Sequence, residues 1–401
     1  MDFYGYMRPN GKAGARNYVL LLPVNRSLNF IASNVERMTR NTHHFEIPAE
    51  TGRTEVDREV IARTLIGLMN NANVGGIVLL AVKSGAGSAY KNMCAERFEE
   101  EAQKTGKPFR IVYLTNVGGS YNMLGETLRL TREVLLEVSD FRRENCPLSA
   151  LTLGVKCGTS DATSGIAGNP CVGAAFDQLI RAGGTAFFSE TTEIIGAEDL
   201  VANRAVNESV AKKILSAARH WEDKAKATGE DIRKINPIPA NIAAGISSLE
   251  EKSLGAIAKS GTSPIQDVLK YAEMPKGSGL YFVDSWMSSL SLPLCLTACG
   301  ATIMLYQMGG GKIAQHPMMP SINPTVVSPF LYLTGNAIAY SRAPDNFDFD
   351  ASPIMTEGAS IPEMGTKLLE HLSAIASGTM TKMETLNYAE QLELYMEGPV
   401  L

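Results

Sequence analysis

"GGIVLLAV", residues 75–82, decides the fold class. From Ile77 to Val82 every side chain is apolar, so a strand built from this run has no face for water and must be covered on both sides. Sheets covered on both sides are parallel sheets, whose strands alternate with helices. The flanking sequence has that alternation. "NYVLLLPV" (17–24) and "FRIVYLTNV" (109–117) are further β-rich runs, while "VDREVIARTLIGLMNN" (56–71), "MCAERFEEEAQ" (93–103) and "TLRLTREVLLEV" (127–138) have helical periodicity. After the polar stretch "SDFRRENCP" (139–147), which reads as a linker, a second series begins with "LTLGV" (151–155), "TAFFS" (185–189), "GLYFVD" (279–284) and "ATIMLYQM" (301–308). The expected fold is α/β: two subdomains with mainly parallel sheets, a βαβ, Rossmann-like unit over 1–145 and a larger α/β unit over 146–401.

The chain has 401 residues, 45% of them apolar and 20% charged, with a net charge of -5. That balance gives no reason to expect nucleic acid as a partner. The N-terminal segment lacks the basic, apolar, small-residue order of a signal peptide, and no apolar run is long enough to span a bilayer. Six cysteines at 94, 146, 157, 171, 295 and 299 show no CxxC pair, which fits reduced thiols in the cytoplasm.

In open parallel sheets ligands bind beyond the carboxyl ends of the strands, so the residues delivered there are the candidates. "LTLGV" delivers Lys156, Cys157, Ser160 and Asp161; "TAFFS" delivers Glu190 and Glu193; "GLYFVD" delivers Asp284; "ATIMLYQM" delivers 309–312. The segment 156–168 reads as a long, glycine-rich loop ahead of a helix that Asn169 caps and Pro170 opens. A helix start of that kind would hold an anion. Lysine, carboxylates and backbone amides together suit a small carboxylate substrate and a proton moved beside it. A divalent ion (Mg, Mn or Fe) on oxygen ligands is compatible, with Glu190 and Glu193 as its candidate ligands. Lys252 follows two capping-box serines, Ser247 and Ser248, and reads either as a solvated helix residue or as a substrate contact. Of the histidines only His316, beside a proline in a glycine- and methionine-rich loop, is weighed as functional; His43, His44, His220 and His371 read as structural.

Taken together, "YGYMRPNGKAGARNYVLLLP", "NANVGGIVLL", "KCGTSDATSG", "GGTAFFSETTEIIGAE", "NPIPANIAAGISSLEEKSLGAIAKSG" and the final "GPVL" resemble, in the same order, the signature blocks of the altronate/galactarate dehydratase family. The resemblance implies a lyase that removes a proton beside the carboxylate of a small 2-hydroxy acid and expels water, as in the sugar-acid dehydratases, or sulfite, as in (2R)-sulfolactate sulfo-lyase. It implies catalytic roles for Lys156, Cys157, Asp161 and Glu190, and substrate contacts from Arg16, Asn17, Ser160, Ser164, Asn169, Lys252, Lys312 and His316. The chain starts almost directly at the "YGYMR" block, as a stand-alone large subunit does, so a small antifreeze-like subunit is an expected partner alongside further copies of the chain in a homo-oligomer. Two other readings stay open: a non-catalytic homologous subunit, and an isomerase or epimerase that uses the same proton abstraction.

The departures from the family pattern also carry information. Three family cysteines are replaced by Ser27, Gly52 and Ser84, which cannot hold an iron–sulfur centre or a thiolate-bound metal. The family's "TGRGT" reads "MGGGK", with Gly310 in place of an arginine, and its "PG" becomes Trp286-Met287. A less polar pocket and a substrate other than an ordinary hexarate are expected.

Overall fold

The computed structural model describes residues 1–83, 91–310, 323–386 and 393–399. Three sheets organise them. The first unit is a parallel four-stranded sheet in the order β4-β3-β5-β6, made of β3 Tyr18–Pro23, β4 Thr42–His44, β5 Val74–Ala81 and β6 Phe109–Tyr113. Every residue of β5 is buried, as the unbroken apolar run requires. The second unit is a parallel seven-stranded sheet in the order β10-β11-β9-β8-β12-β13-β14. Its strands are β8 Thr152–Gly158, β9 Thr185–Phe188, β10 Ile265–Leu269, β11 Gly279–Val283, β12 Ile303–Met308, β13 Phe330–Thr334 and β14 Phe349–Asp350.

The small third sheet was not expected. β1 Asp2–Met7 lies between β2 Ala13–Gly14 and β7 Glu144–Pro147 and is antiparallel to both. Part of the presumed linker is therefore strand, sealed by the buried Phe3 and Cys146 facing each other across the ladder. Four residues with one buried side chain leave no periodic signal to read.

Although the two large sheets are separate, they share one hydrophobic layer. The Glu55–Asn70 helix contributes Leu65, Leu68 and Met69, and the Ser291–Ala298 helix contributes Leu292 and Leu296. Two asparagines from the "NANVGG" block fasten the joint above it. Asn71 Nδ2 donates to the carbonyls of Thr297 and Ala301, at 2.9 Å each. Asn73 Nδ2 donates to the Thr302 carbonyl at 2.8 Å, while its Oδ1 accepts the Arg16 amide at 3.0 Å. Among the described residues no helix is long and apolar enough to cross a membrane.

The seven-stranded sheet grows in one direction from β8 to β9 and in the other from β12 to β13, so its topological switch point lies between β8 and β12. The crevice beyond those two strand ends is where a ligand site is expected. Asn73→Ala would leave the Arg16 amide and the Thr302 carbonyl buried without partners, at about 1–3 kcal/mol for each group. The variant should unfold earlier by roughly 2–5 °C in a thermal melt, with its secondary structure at low temperature unchanged.

Candidate active site

β8 runs three residues further than its apolar core suggests, and this brings Lys156 and Cys157 to the sheet edge on opposite faces. Lys156 lies on the side of Tyr306, its Nζ 4.8 Å from the ring centroid, and donates to the Cys157 carbonyl at 2.7 Å. At the end of β9 the chain turns through Glu190 with φ +75° and ψ 66°, a left-handed conformation that costs a non-glycine residue of order 1–3 kcal/mol. The turn aims the Glu190 carboxylate back over β8. Its Oε2 accepts from the Cys157 amide at 3.1 Å and the Cys157 thiol at 3.4 Å, and its Oε1 faces Lys156 Nζ at 3.4 Å.

A second lysine completes the cluster. Lys259 Nζ pairs with Glu190 Oε2 and lies 3.1 Å from Cys157 Sγ. Lys259 was missed in the sequence, although it follows Lys252 at i+7, a spacing that puts both lysines on one helical face. Its turn is held from below. A Cβ on Gly173 would lie 2.2 Å from the Ala258 carbonyl, so only glycine lets the Asn169–Arg181 helix approach so closely. One helical turn on, Asp177 accepts from the amides and hydroxyls of Thr262 and Ser263.

All four side chains are at most 2% exposed. Burial opposes the charge on Glu190, but Lys259 and Lys156 hold its carboxyl down at about 2. Burial also opposes both ammoniums. Tyr306 and Glu190 keep Lys156 above the usual lysine range, and Cys157 and Glu190 do the same for Lys259. The thiol is raised as well, pushed up to about 11 by burial and then by Glu190.

The segment 156–168 is not a long loop. Residues 162 and 163 are already helical, Ser164–Gly168 wind as one wide π turn, and Asn169–Arg181 continues the helix, which leaves only 159–161 as connection. A π turn inside an α-helix is a recurrent feature of functional sites. It displaces the expected cap: Asp161, not Asn169, starts the helix. Asp161 Oδ1 accepts the Ser164 amide at 3.0 Å and the Thr163 hydroxyl at 2.6 Å, and Ser164 Oγ accepts the Asp161 amide at 3.2 Å, a reciprocal capping box. Asp161 Oδ2 accepts the Gly310 amide at 2.7 Å and Asn336 Nδ2 at 2.9 Å. Oδ1 is thus committed to the helix start and Oδ2 to holding the strand ends together. Gly310, where the family has arginine, has no room for a side chain, because a Cβ there would lie 2.0 Å from Asn336 Nδ2.

Beside this helix start is a cavity of about 240 Å³, lined among others by Ser160, Ser164, Asn169, Lys252 and Gly255. Lys252 is not solvated but 6% exposed, its Nζ 3.1 Å from Glu193 Oε1 and 2.6 Å from Asn236 Oδ1. Asn169 donates to the Gly255 carbonyl at 2.8 Å. Buried polar atoms without a partner gather in this region: Asn169 Oδ1, Glu193 Oε2, Asn241 Oδ1 and both amide atoms of Gln307. Native proteins rarely leave such atoms unpaired; of these residues Asn169 lines the cavity, Asn241 donates to the carbonyl of the cavity-lining Ser160, and Glu193 pairs with the cavity-lining Lys252.

Arg16 and Asn17 do not join the site. All five Arg16 N–H groups are used at the joint, on Glu384 and the carbonyls of Ala15, Ile375 and Thr379. Asn17 accepts from Arg8 and donates to the Val138 carbonyl. Both are spent on structural contacts, Arg16 on the segment from Ile375 to Glu384 and Asn17 on Arg8 and Val138. Trp286 donates to Ser291 and packs on Tyr395, and neither it nor Met287 lines the cavity. Lys312, His316 and Ser84 lie outside the described residues. The donors expected for a divalent ion do not fit one. Ammoniums occupy Glu190 and one oxygen of Glu193, and among the described residues no three His, Cys, Asp or Glu side chains converge.

Family models match both units: "D-galactarate dehydratase/Altronate hydrolase, second domain" over residues 5–139, and "D-galactarate/Altronate dehydratase, C-terminal" over 148–399. The chain belongs to the D-galactarate/altronate dehydratase family. Within this family it is 32% identical to (2R)-sulfolactate sulfo-lyase subunit beta of Chromohalobacter salexigens over 97% of this chain and 96% of that one. It is 30% identical to the altronate dehydratase of Bacillus subtilis, over 100% of this chain and 78% of that one. Identity to the galactarate dehydratase (L-threo-forming) of Escherichia coli is also 30%, over 99% of this chain and 77% of that one.

Glu190→Gln would leave two buried ammoniums without their counter-charge, a loss of about 3–5 kcal/mol. Because the folded carboxyl titrates near 2 and an ordinary glutamate near 4.5, the pairing stabilises the protein above about 4.5 and fades as pH falls towards 2. Urea unfolding from pH 7 to pH 3 should therefore show the gap between wild type and Glu190→Gln narrowing below pH 4.5.

Proposed function

We propose that this chain is a lyase that performs β-elimination on a small 2-hydroxy carboxylate, expelling water or sulfite and leaving a 2-keto acid. One observation carries the reading beyond family membership. Around the switch-point crevice three buried ammoniums, Lys156, Lys252 and Lys259, face two carboxylates, Glu190 and Glu193. Asp161, held only by neutral donors, brings the carboxylates to three, so the charges balance. Of the ammoniums Lys252 lines the cavity, placed to meet an anionic substrate and the enolate-like charge that grows on its carboxylate as the proton leaves. Fixed ammoniums would then take the part of the dication considered from the sequence.

The substrate would enter the 240 Å³ cavity, with Ser160, Ser164 and Asn169 facing its hydroxyl groups and Lys252 its carboxylate. A small subunit as partner is part of the proposal, since one relative is named as subunit beta of a sulfo-lyase. Six cysteines without a disulfide suit a cytoplasmic setting.

The test is formation of 2-keto acid by the purified chain, with and without a candidate small subunit, from sulfolactate, altronate, galactarate and simpler 2-hydroxy acids. Turnover of at least one acid is expected, and it should survive treatment with a metal chelator. No keto acid from any of them with the partner present would overturn the lyase reading.

A further inference from the structure

Three carboxylates border the crevice, and the hydrogen bonds separate them. Asp161 has both oxygens tied to backbone and side-chain donors. Glu190 has both oxygens on ammoniums and one also on an amide, with its carboxyl held far below neutrality. Asp161 has no lone pair free for a substrate proton, and a proton on Glu190 would strip the counter-charge from two buried ammoniums. Glu193 differs. Its Oε1 is oriented by Lys252, and its Oε2 is buried with no partner. We infer that Glu193 is the general base of the elimination, Lys252 its positioning residue, and Glu190 the fixed counter-charge of Lys156 and Lys259.

The local chain geometry serves that division. The left-handed turn at Glu190 is followed by the short Thr191–Glu193 helix, with the Glu193 amide donating to the Glu190 carbonyl at 2.8 Å. Thr191 pins this turn to the end of β11, its amide on the Ser285 carbonyl at 2.9 Å and its hydroxyl on Asp284 at 2.7 Å. Glu190 and Glu193 therefore leave one rigid turn in different directions. Glu190 points over β8, and Glu193 points to Lys252, which lines the cavity. Burial without a hydrogen-bond partner is costly for a carboxylate oxygen, and a protein retains it where a ligand atom completes the site.

The inference rests on the proposed lyase reading. In the reaction Glu193 Oε2 takes the proton from the carbon that bears the hydroxyl beside the substrate carboxylate. The C–H electron pair becomes the new C=C bond as the bond to the β-substituent breaks, and the electrons of that bond leave with the substituent. Glu193 returns its proton to a departing hydroxyl, giving water, or to solvent when sulfite departs. The enol then ketonises to the 2-keto acid, and nothing is oxidised or reduced.

The experiment compares wild type, Glu193→Gln and Glu193→Ala on whichever acid the wild type turns over. Glu193→Gln should melt below wild type, because it leaves the buried Lys252 ammonium without its counter-charge, yet remain folded at assay temperature, keep KM within a few-fold and lose kcat by about 10²–10⁴-fold, the usual worth of a general base. Glu193→Asp, which keeps the charge but withdraws the oxygen by one methylene, should lose kcat in the same direction even if the amide variant folds poorly. Turnover of Glu193→Ala should be restored in proportion to added formate, a small carboxylate that fits the vacated space; a purely structural defect would not respond to it. A Glu193→Gln enzyme with kcat within ten-fold of wild type, or Glu193→Ala indifferent to formate, overturns the assignment and leaves the lyase reading standing. A wild type that makes no keto acid overturns both.

Discussion

Everything at the carboxyl edge of the large sheet is arranged around one buried carboxylate that must be neutralised. Glu190 is fully buried, and a lone carboxylate there would take up a proton. Two lysines from different parts of the chain keep it charged, and their own positions then become fixed requirements. Lys156 needs β8 extended to the sheet edge, and Lys259 needs the turn after the Leu249–Ile257 helix pressed against the Asn169–Arg181 helix at Gly173. The strained turn at Glu190 is a local cost that this network over-determines.

Much of this was legible in the sequence because it follows local rules. The unbroken apolar runs announced parallel strands, and Lys156, Cys157 and Glu190 were readable as strand-end residues by counting from those runs. The capping box at Ser248 was equally plain, its hydroxyl accepting the Glu251 amide at 3.2 Å. What was not legible depends on contacts remote in the chain or on a change of helical period. Lys259 meets Glu190 across 69 residues. Arg16 looked like an anion ligand until Glu384, 368 residues away, took its place beside it. The glycines of "SGIAG" suggested a loop, since nothing in a periodicity argument distinguishes a loop from one turn wound too wide.

Locking and readiness are divided between two glutamates three residues apart. A site built only of satisfied groups would be stable and inert; one built only of unsatisfied groups would not fold. Here the satisfied pairings of Glu190 and Asp161 form the frame, and Glu193, Asn169 and Asn241 keep unpaired buried atoms beside it. Pre-oriented charge of this kind needs no rearrangement when charge develops on a substrate, which is the advantage a fixed site has over water.

The joint between the two units has a different character. Asn71 and Asn73 grip main-chain carbonyls at 297, 301 and 302, and Arg16 does the same at 15, 375 and 379. Main-chain atoms are present whatever residue occupies the position. Apart from Glu384, which Arg16 binds, and Ser328, which Asn73 reaches, the seam therefore imposes little on the side chains opposite it, and the facing surfaces of the units are free to diverge through mutation while the grip is kept. The seating of the two units can in that way outlast extensive substitution, held by a latch that reads mostly backbone.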